Sequence, residues 1–150
     1  RAILAAYPFS AVPTPHVVKF VDGHSVYAMC AIDALGMPVM LDTDATIESR
    51  CSQCGVLICV EVKQSVLSEY APQTARVWYI QPDVCCIPAL EQCPAINFFC
   101  SREHLDLWRV RQTNTSGHEL TMESAFERGA ASFGGLLKVR NESAFIALET

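Results

Sequence analysis

Eight cysteines stand in this 150-residue chain, and their spacing points to soft-metal chemistry. Cysteine thiolates select soft or borderline metals over hard ions such as magnesium and calcium. One group is Tyr27-Ala28-Met29-Cys30-Ala31-Ile32-Asp33, where a thiol precedes a carboxylate by three residues. At the start of a helix that spacing puts both groups on one face. The helix dipole favours the thiolate there, whereas a neighbouring carboxylate disfavours a second negative charge. A bound cation relieves the conflict, so the pair reads as two ligands, or as one ligand and one proton carrier. Against this stands the ordinary role of cysteine as a small core residue, which a lone Cys-x-x-Asp spacing does not displace.

A second group joins Cys51-Ser52-Gln53-Cys54-Gly55 to Cys100-Ser101-Arg102-Glu103-His104. The first stretch has the spacing of a zinc knuckle, with glycine letting the backbone curl. The second puts two ligands four residues apart at a helix start, again on one face. Together, Cys51, Cys54, Cys100 and His104 would make a tetrahedral zinc site of the structural kind, with three thiolates and one imidazole. Knuckle plus helix start resembles a treble-clef finger in which His104 replaces the last cysteine. Free core thiols and a redox pair are the alternatives.

The other candidates are weaker. Cys85 and Cys86 are adjacent, where a disulfide is strained, and read as packing or pocket-lining residues. Cys59 lies in an apolar strand and reads as core. His16, His24 and His118 fall in or near turns and read as solvent-exposed. Trp78, Trp108, Phe98 and Phe99 read as core, with one of them available to wall an apolar pocket.

These groups must be carried by regular elements. Pro8, Pro13 and Pro15 keep residues 1–16 extended. Val17–Val21 and Ser25–Ala28 read as a hairpin about Asp22-Gly23, a type I′ turn signal. Met29–Leu35 reads as a short helix stopped by Gly36 and Pro38. Strands are expected at Ala45–Ser49 and Leu57–Val62 around the Cys-x-x-Cys turn, and at Ala75–Ile80 and Asn97–Phe99. Residues 81–96 read as an irregular loop. Ser101 is a good N-cap for a helix over Arg102–Arg111, with Glu103 in its first turn. Thr113–Gly117 reads as a polar loop and Met122–Phe133 as an amphipathic helix ended by Gly134-Gly135. Strands followed by helices predict an α+β domain with a mixed or antiparallel sheet and a treble-clef-like metal-binding core.

Composition narrows the function classes. The chain is 51% apolar and 18% charged, which suits one globular domain with a real core. A net charge of −5 without a Lys/Arg cluster argues against a nucleic-acid partner. No run of eighteen apolar residues predicts a membrane span. The first residues lack the pattern of an export signal, which favours the cytosol, where cysteines serve metals or catalysis more often than disulfides.

Three stretches are similar to the organomercurial (alkylmercury) lyase family: Pro8-Phe9-Ser10-Ala11-Val12-Pro13-Thr14, Val26-Tyr27-Ala28-Met29-Cys30-Ala31-Ile32-Asp33-Ala34-Leu35, and Cys93-Pro94-Ala95-Ile96-Asn97-Phe98-Phe99. The likeness runs from about Pro8 to Phe133. It implies that Cys30, Cys93 and Asp33 carry protonolysis of a carbon–mercury bond. Two thiolates would take mercury from an exogenous carrier thiol, and Asp33 would deliver the proton to the leaving carbon. The products would be a hydrocarbon and Hg(II), with no cofactor needed for the chemistry. The implied partners are a small organomercurial and a downstream acceptor thiol or reductase, in the setting of mercury resistance. The Cys51/Cys54 dithiol could pass mercury onward. The resemblance also implies one domain over residues 1–150, beginning after the N-terminal helical domain that family members commonly carry. The rival function is a non-catalytic thiol-rich module for zinc, copper or mercury, which needs the thiols but not the acid.

Overall fold

The computed structural model describes residues 5–6, 9–80, 96–112 and 117–133. Among the described residues, two antiparallel sheets and three helices make an α+β fold, as expected. The larger sheet is built from β1 (Ala5–Ala6), β2 (Phe9–Ser10), β3 (His16–Phe20), β4 (Ser25–Ala28), β5 (Ala45–Arg50), β6 (Leu57–Lys63) and β7 (Val66–Ala71), in the order β1-β2-β4-β3-β5-β6-β7. The smaller has β8 (Arg76–Ile80) between β9 (Asn97–Phe99) and β10 (Gly117–Thr121). Helix α1 (Ala31–Met40) follows β4, α2 (Arg102–Arg109) follows β9, and α3 (Met122–Phe133) continues directly from β10.

Period-two burial explains the larger sheet. In β5, Ala45, Ile47 and Ser49 face inward, and in β6, Ile58, Val60 and Val62 do the same. One face is therefore packed on the core while Lys19, Glu48 and Lys63 look outward. Cys59 falls on the outward register of β6 and is only half-buried, so it is not the core residue the sequence suggests.

The first hairpin forms where Asp22-Gly23 predicts, but not as a type I′ turn. Gly23 has φ +99°, while Asp22 acts through its side chain, accepting from the His24 N–H at 2.9 Å. The β6–β7 hairpin turns on Gln64 and Ser65, both with positive φ (52° and 59°) and neither a usual turn residue for it.

Helix α1 corrects another expectation. It starts two residues later than Met29 and runs through Gly36 and Pro38 to Met40. Proline inside a helix costs about 3 kcal/mol in isolation. Here every residue of α1 except Val39 is buried, and that burial outweighs the lost hydrogen bond. Gly36 is a contact point rather than a stop: α3 crosses α1 there, Gly129 against Gly36. A Cβ on Gly129 would lie 2.8 Å from the Ile32 carbonyl oxygen and 3.0 Å from the Gly36 nitrogen. Helix α3 itself matches its expected bounds, with Met122, Ala125, Phe126, Gly129 and Phe133 making its buried stripe.

Among the described residues no helix is long and apolar enough to cross a membrane.

Candidate functional site

Cys30 is the N-cap of α1. Its backbone is extended (φ −152°, ψ 176°), and its sulfur accepts the Asp33 N–H at 3.5 Å. This is the position at which serine or aspartate usually satisfies a free helix-end donor. The Ala31 N–H is met from elsewhere: it donates to the Ile96 carbonyl at 3.1 Å. The segment leading into β9 is thus stitched to the residue that follows Cys30. Cys30 and Asp33 are 2% and 1% exposed, so the acid lies in the core one helical turn from the thiol. Burying an ionisable carboxyl costs stability, which makes its presence here a functional pointer.

Cys93 lies outside the described residues, as do Cys85 and Cys86.

The second group converges. Cys51 follows β5, Cys54 and Gly55 complete the turn, Cys100 follows β9, and His104 stands in the first turn of α2. The ligand atoms of Cys51, Cys54, Cys100 and His104 all lie within 4.8 Å of one another, and neither Cys30 nor Asp33 belongs to the cluster. The turn is shaped by the Gly55 N–H donating to the Cys51 carbonyl at 2.8 Å, with Gly55 at φ +79°. Ser101 caps α2 as expected, its hydroxyl accepting the His104 N–H at 3.2 Å, which fixes the helix turn carrying the imidazole. The Cys54 and Cys100 sulfurs are 3.7 Å apart, far beyond the roughly 2.05 Å of a disulfide.

The thiols of this cluster differ electrostatically. Burial pushes the Cys51 thiol up, but N–H groups of Cys100, Cys54 and Gln53, with the His104 side chain, outweigh it and bring Cys51 down to about 6. Cys100 is pushed up to about 11 by burial and by its neighbours Cys51 and Cys54.

His16 was misplaced by sequence reasoning. It is not a turn residue but the first residue of β3, 2% exposed. Its Nδ1 is 2.9 Å from the Ser49 hydroxyl, and its ring meets Phe98 edge-on at 5.7 Å. Burial lowers it to about 4 against a hydrogen bond with Asn97 that raises it. The signal was present in the alternation His16, Val18, Phe20, all on the buried face. His24 is exposed, as expected, and His118 lies within β10 against the Tyr79 ring. Trp78, Phe98 and Phe99 are core residues, as expected, and the half-buried Trp108 of α2 packs on two of them, 6.3 Å from the Trp78 ring and 5.1 Å from the Phe99 ring.

A family model described as MerB, alkylmercury lyase, matches residues 9–134. The alkylmercury lyase of Bacillus cereus is 33% identical over 118 residues, covering 79% of this chain and 53% of the relative. That of Staphylococcus epidermidis is 31% identical over 126 residues, covering 84% and 57%. The chain spans about half the length of the curated relatives it matches. A crystal structure of the mercury-bound form of MerB2 superposes with a TM-score of 0.76 at 29% identity, covering 84% of this chain and 61% of that one.

Proposed function

Since this chain belongs to the alkylmercury lyase family, we propose that it cleaves carbon–mercury bonds with Cys30 and Cys93 as mercury ligands and Asp33 as proton donor. The observation that carries this reading is the Cys30–Asp33 pair itself: a buried thiol that accepts the Asp33 backbone N–H, on a residue whose own carboxyl is buried one helical turn away. The family match over residues 9–134, which takes in all three residues, supports it.

The reaction balances without a redox step. A substrate R–Hg–SR′ exchanges its carrier thiolate for the two cysteine thiolates. One thiol proton leaves with the carrier as R′SH, and the other is held by Asp33. Thiolate ligation raises electron density on the mercury-bound carbon, the Hg–C bond breaks, and Asp33 delivers its proton to that carbon. The products are RH, R′SH and Hg(II) on two thiolates. Asp33 suits the transfer because a carboxyl can hold and return one proton at a fixed place. The surrounding core keeps water away from both groups.

The chemistry needs no resident cofactor, only an exogenous thiol as mercury carrier and, downstream, an acceptor thiol or reductase for Hg(II). Reduced thiols are kept most readily in the cytosol, the compartment we assign to the protein. Residues 1–150 are read as one lyase domain.

Methylmercury with excess thiol tests the reading. Methane in the headspace, matching Hg(II) formed, is expected. Methane formation no faster than with Cys30→Ser would overturn the lyase reading and favour the non-catalytic metal-binding module.

A further inference from the structure

We propose that Cys51, Cys54, Cys100 and His104 hold one structural zinc ion that fastens β9 and α2 to the end of the β5–β6 hairpin. Zinc bonds of about 2.3 Å to sulfur and 2.0–2.1 Å to nitrogen, set on a tetrahedron, require sulfur–sulfur edges near 3.8 Å and sulfur–nitrogen edges near 3.6 Å. The Cys54–Cys100 edge is 3.7 Å, Cys51–His104 is 3.9 Å and Cys100–His104 is 3.2 Å. Three of the six edges are thus near those of the coordination polyhedron, and all four ligand atoms lie within 4.8 Å of one another. Three thiolates and an imidazole are a donor set that zinc takes and that magnesium or calcium refuses.

The cluster joins two short elements, β9 and α2, to the end of the β5–β6 hairpin. β9 has only three residues, and α2 has eight, of which Leu105 alone is fully buried. Its ligands come in equal number from the larger sheet's hairpin and from the β9–α2 junction of the smaller sheet. Other contacts hold the same seam in the geometry the ion needs. The Ser52 N–H donates to the Phe98 carbonyl at 3.1 Å, and Thr74 donates to the Cys100 carbonyl at 2.6 Å. Arg111, just past α2, bonds the Gln53 side chain inside the turn. Four ligands from the protein leave no open coordination position, so the ion does not turn over substrate.

Protein purified under reducing conditions without chelator should carry about one zinc per chain. Cobalt(II) exchanged into it should give the intense visible bands and thiolate charge-transfer of a four-coordinate site with three sulfurs and one nitrogen. His104→Cys should move those bands to an all-sulfur pattern, while His104→Ala weakens them. Should either variant fail to fold, the natural chain still decides: zinc should shield three thiols from a chromogenic disulfide reagent until a chelator is added. A metal-free protein with a weak six-coordinate cobalt spectrum and no chelator-dependent thiols would overturn the site. Iron or copper in place of zinc at that stoichiometry would overturn the assignment of the ion.

Discussion

The two thiol sites are built in opposite ways. Cys30 and Asp33 come from one stretch of four residues, are buried, and depend on a helix end for their geometry. Cys51, Cys54, Cys100 and His104 come from two distant stretches and run from the core to the surface, with Cys51 buried, Cys100 and His104 half-buried and Cys54 exposed. Such a cluster of donors adds stability when a metal fills it and needs no buried acid. A thiol–acid pair in the core burdens the fold, and chemistry is the reason to retain it. On the proposed readings, the first is the part that reacts and the second the part that holds.

Exchange at the first site should strike activity and spare the fold. Cys30→Ser is expected to reduce cleavage to background while stability stays within about 1 kcal/mol, because serine is itself a good N-cap. Asp33→Asn should slow cleavage roughly 100- to 10,000-fold, the usual range for a lost general acid, with Hg(II) affinity little changed. Single-turnover rates and Hg(II) titrations on the same preparations check both. Equal losses of affinity and rate in Asp33→Asn would make the acid a ligand rather than a proton donor.

The second site should respond the other way. Cys100→Ser is expected to release zinc and lower unfolding free energy by more than about 4 kcal/mol, the scale on which metal loss acts. Denaturant titration with and without added zinc measures it. A Cys100→Ser protein as stable as the natural chain would remove the holding role.

His16 lies between the two sites. β3 pairs it with Ala28, two residues before Cys30, and its ring bonds Ser49, two residues before Cys51. Its folded value of about 4 lies below the usual 6.5, so the native state requires the neutral ring. The unfolded chain binds a proton below about pH 6.5 and the folded one does not, so this contribution is full above 6.5 and is lost as pH falls toward 4. The loss is on the order of 3 kcal/mol at pH 4. Denaturant curves between pH 7 and pH 4 should be steeper in pH for the natural chain than for His16→Gln, and identical slopes would remove His16 as their source.

How much of this was legible in the sequence follows from which signals were local. The Cys-x-x-Cys-Gly turn, the Ser101 cap and the α3 stripe are local, and the structure has them where they were expected. The β6–β7 turn was invisible because Gln64 and Ser65 carry no turn signature; their conformation is held from outside, the Gln64 N–H donating to the Asp44 carboxylate at 2.8 Å. The end of α1 was misjudged because Gly36 and Pro38 are stop signals only for a helix in isolation. His16 was misjudged because the strand was begun one residue late. The proposed pairing of Cys30 with Cys93 rests on the resemblance, since no local signal joins residues so far apart.

The smallest expected effect sharpens the comparison most. Gly129 touches neither site, yet the Cβ of an alanine there would press on the Ile32 carbonyl and on the Gly36 backbone. These are main-chain atoms, so they cannot rotate away as a side chain would. Overpacking of this kind costs about 1–3 kcal/mol. The displaced peptide is the one that leads into Asp33, so part of the strain should appear as a change in the Cys30–Asp33 geometry. Gly129→Ala is therefore expected to lower stability by about 1–3 kcal/mol and to slow cleavage, while zinc content stays at about one per chain. Denaturant midpoints, single-turnover rates and metal analysis on one preparation give all three. If cleavage is untouched while stability falls, α1 carries its two functional groups independently of its packing on α3. If zinc is lost as well, the two sites are parts of one cooperative unit, and the division between reacting and holding regions fails.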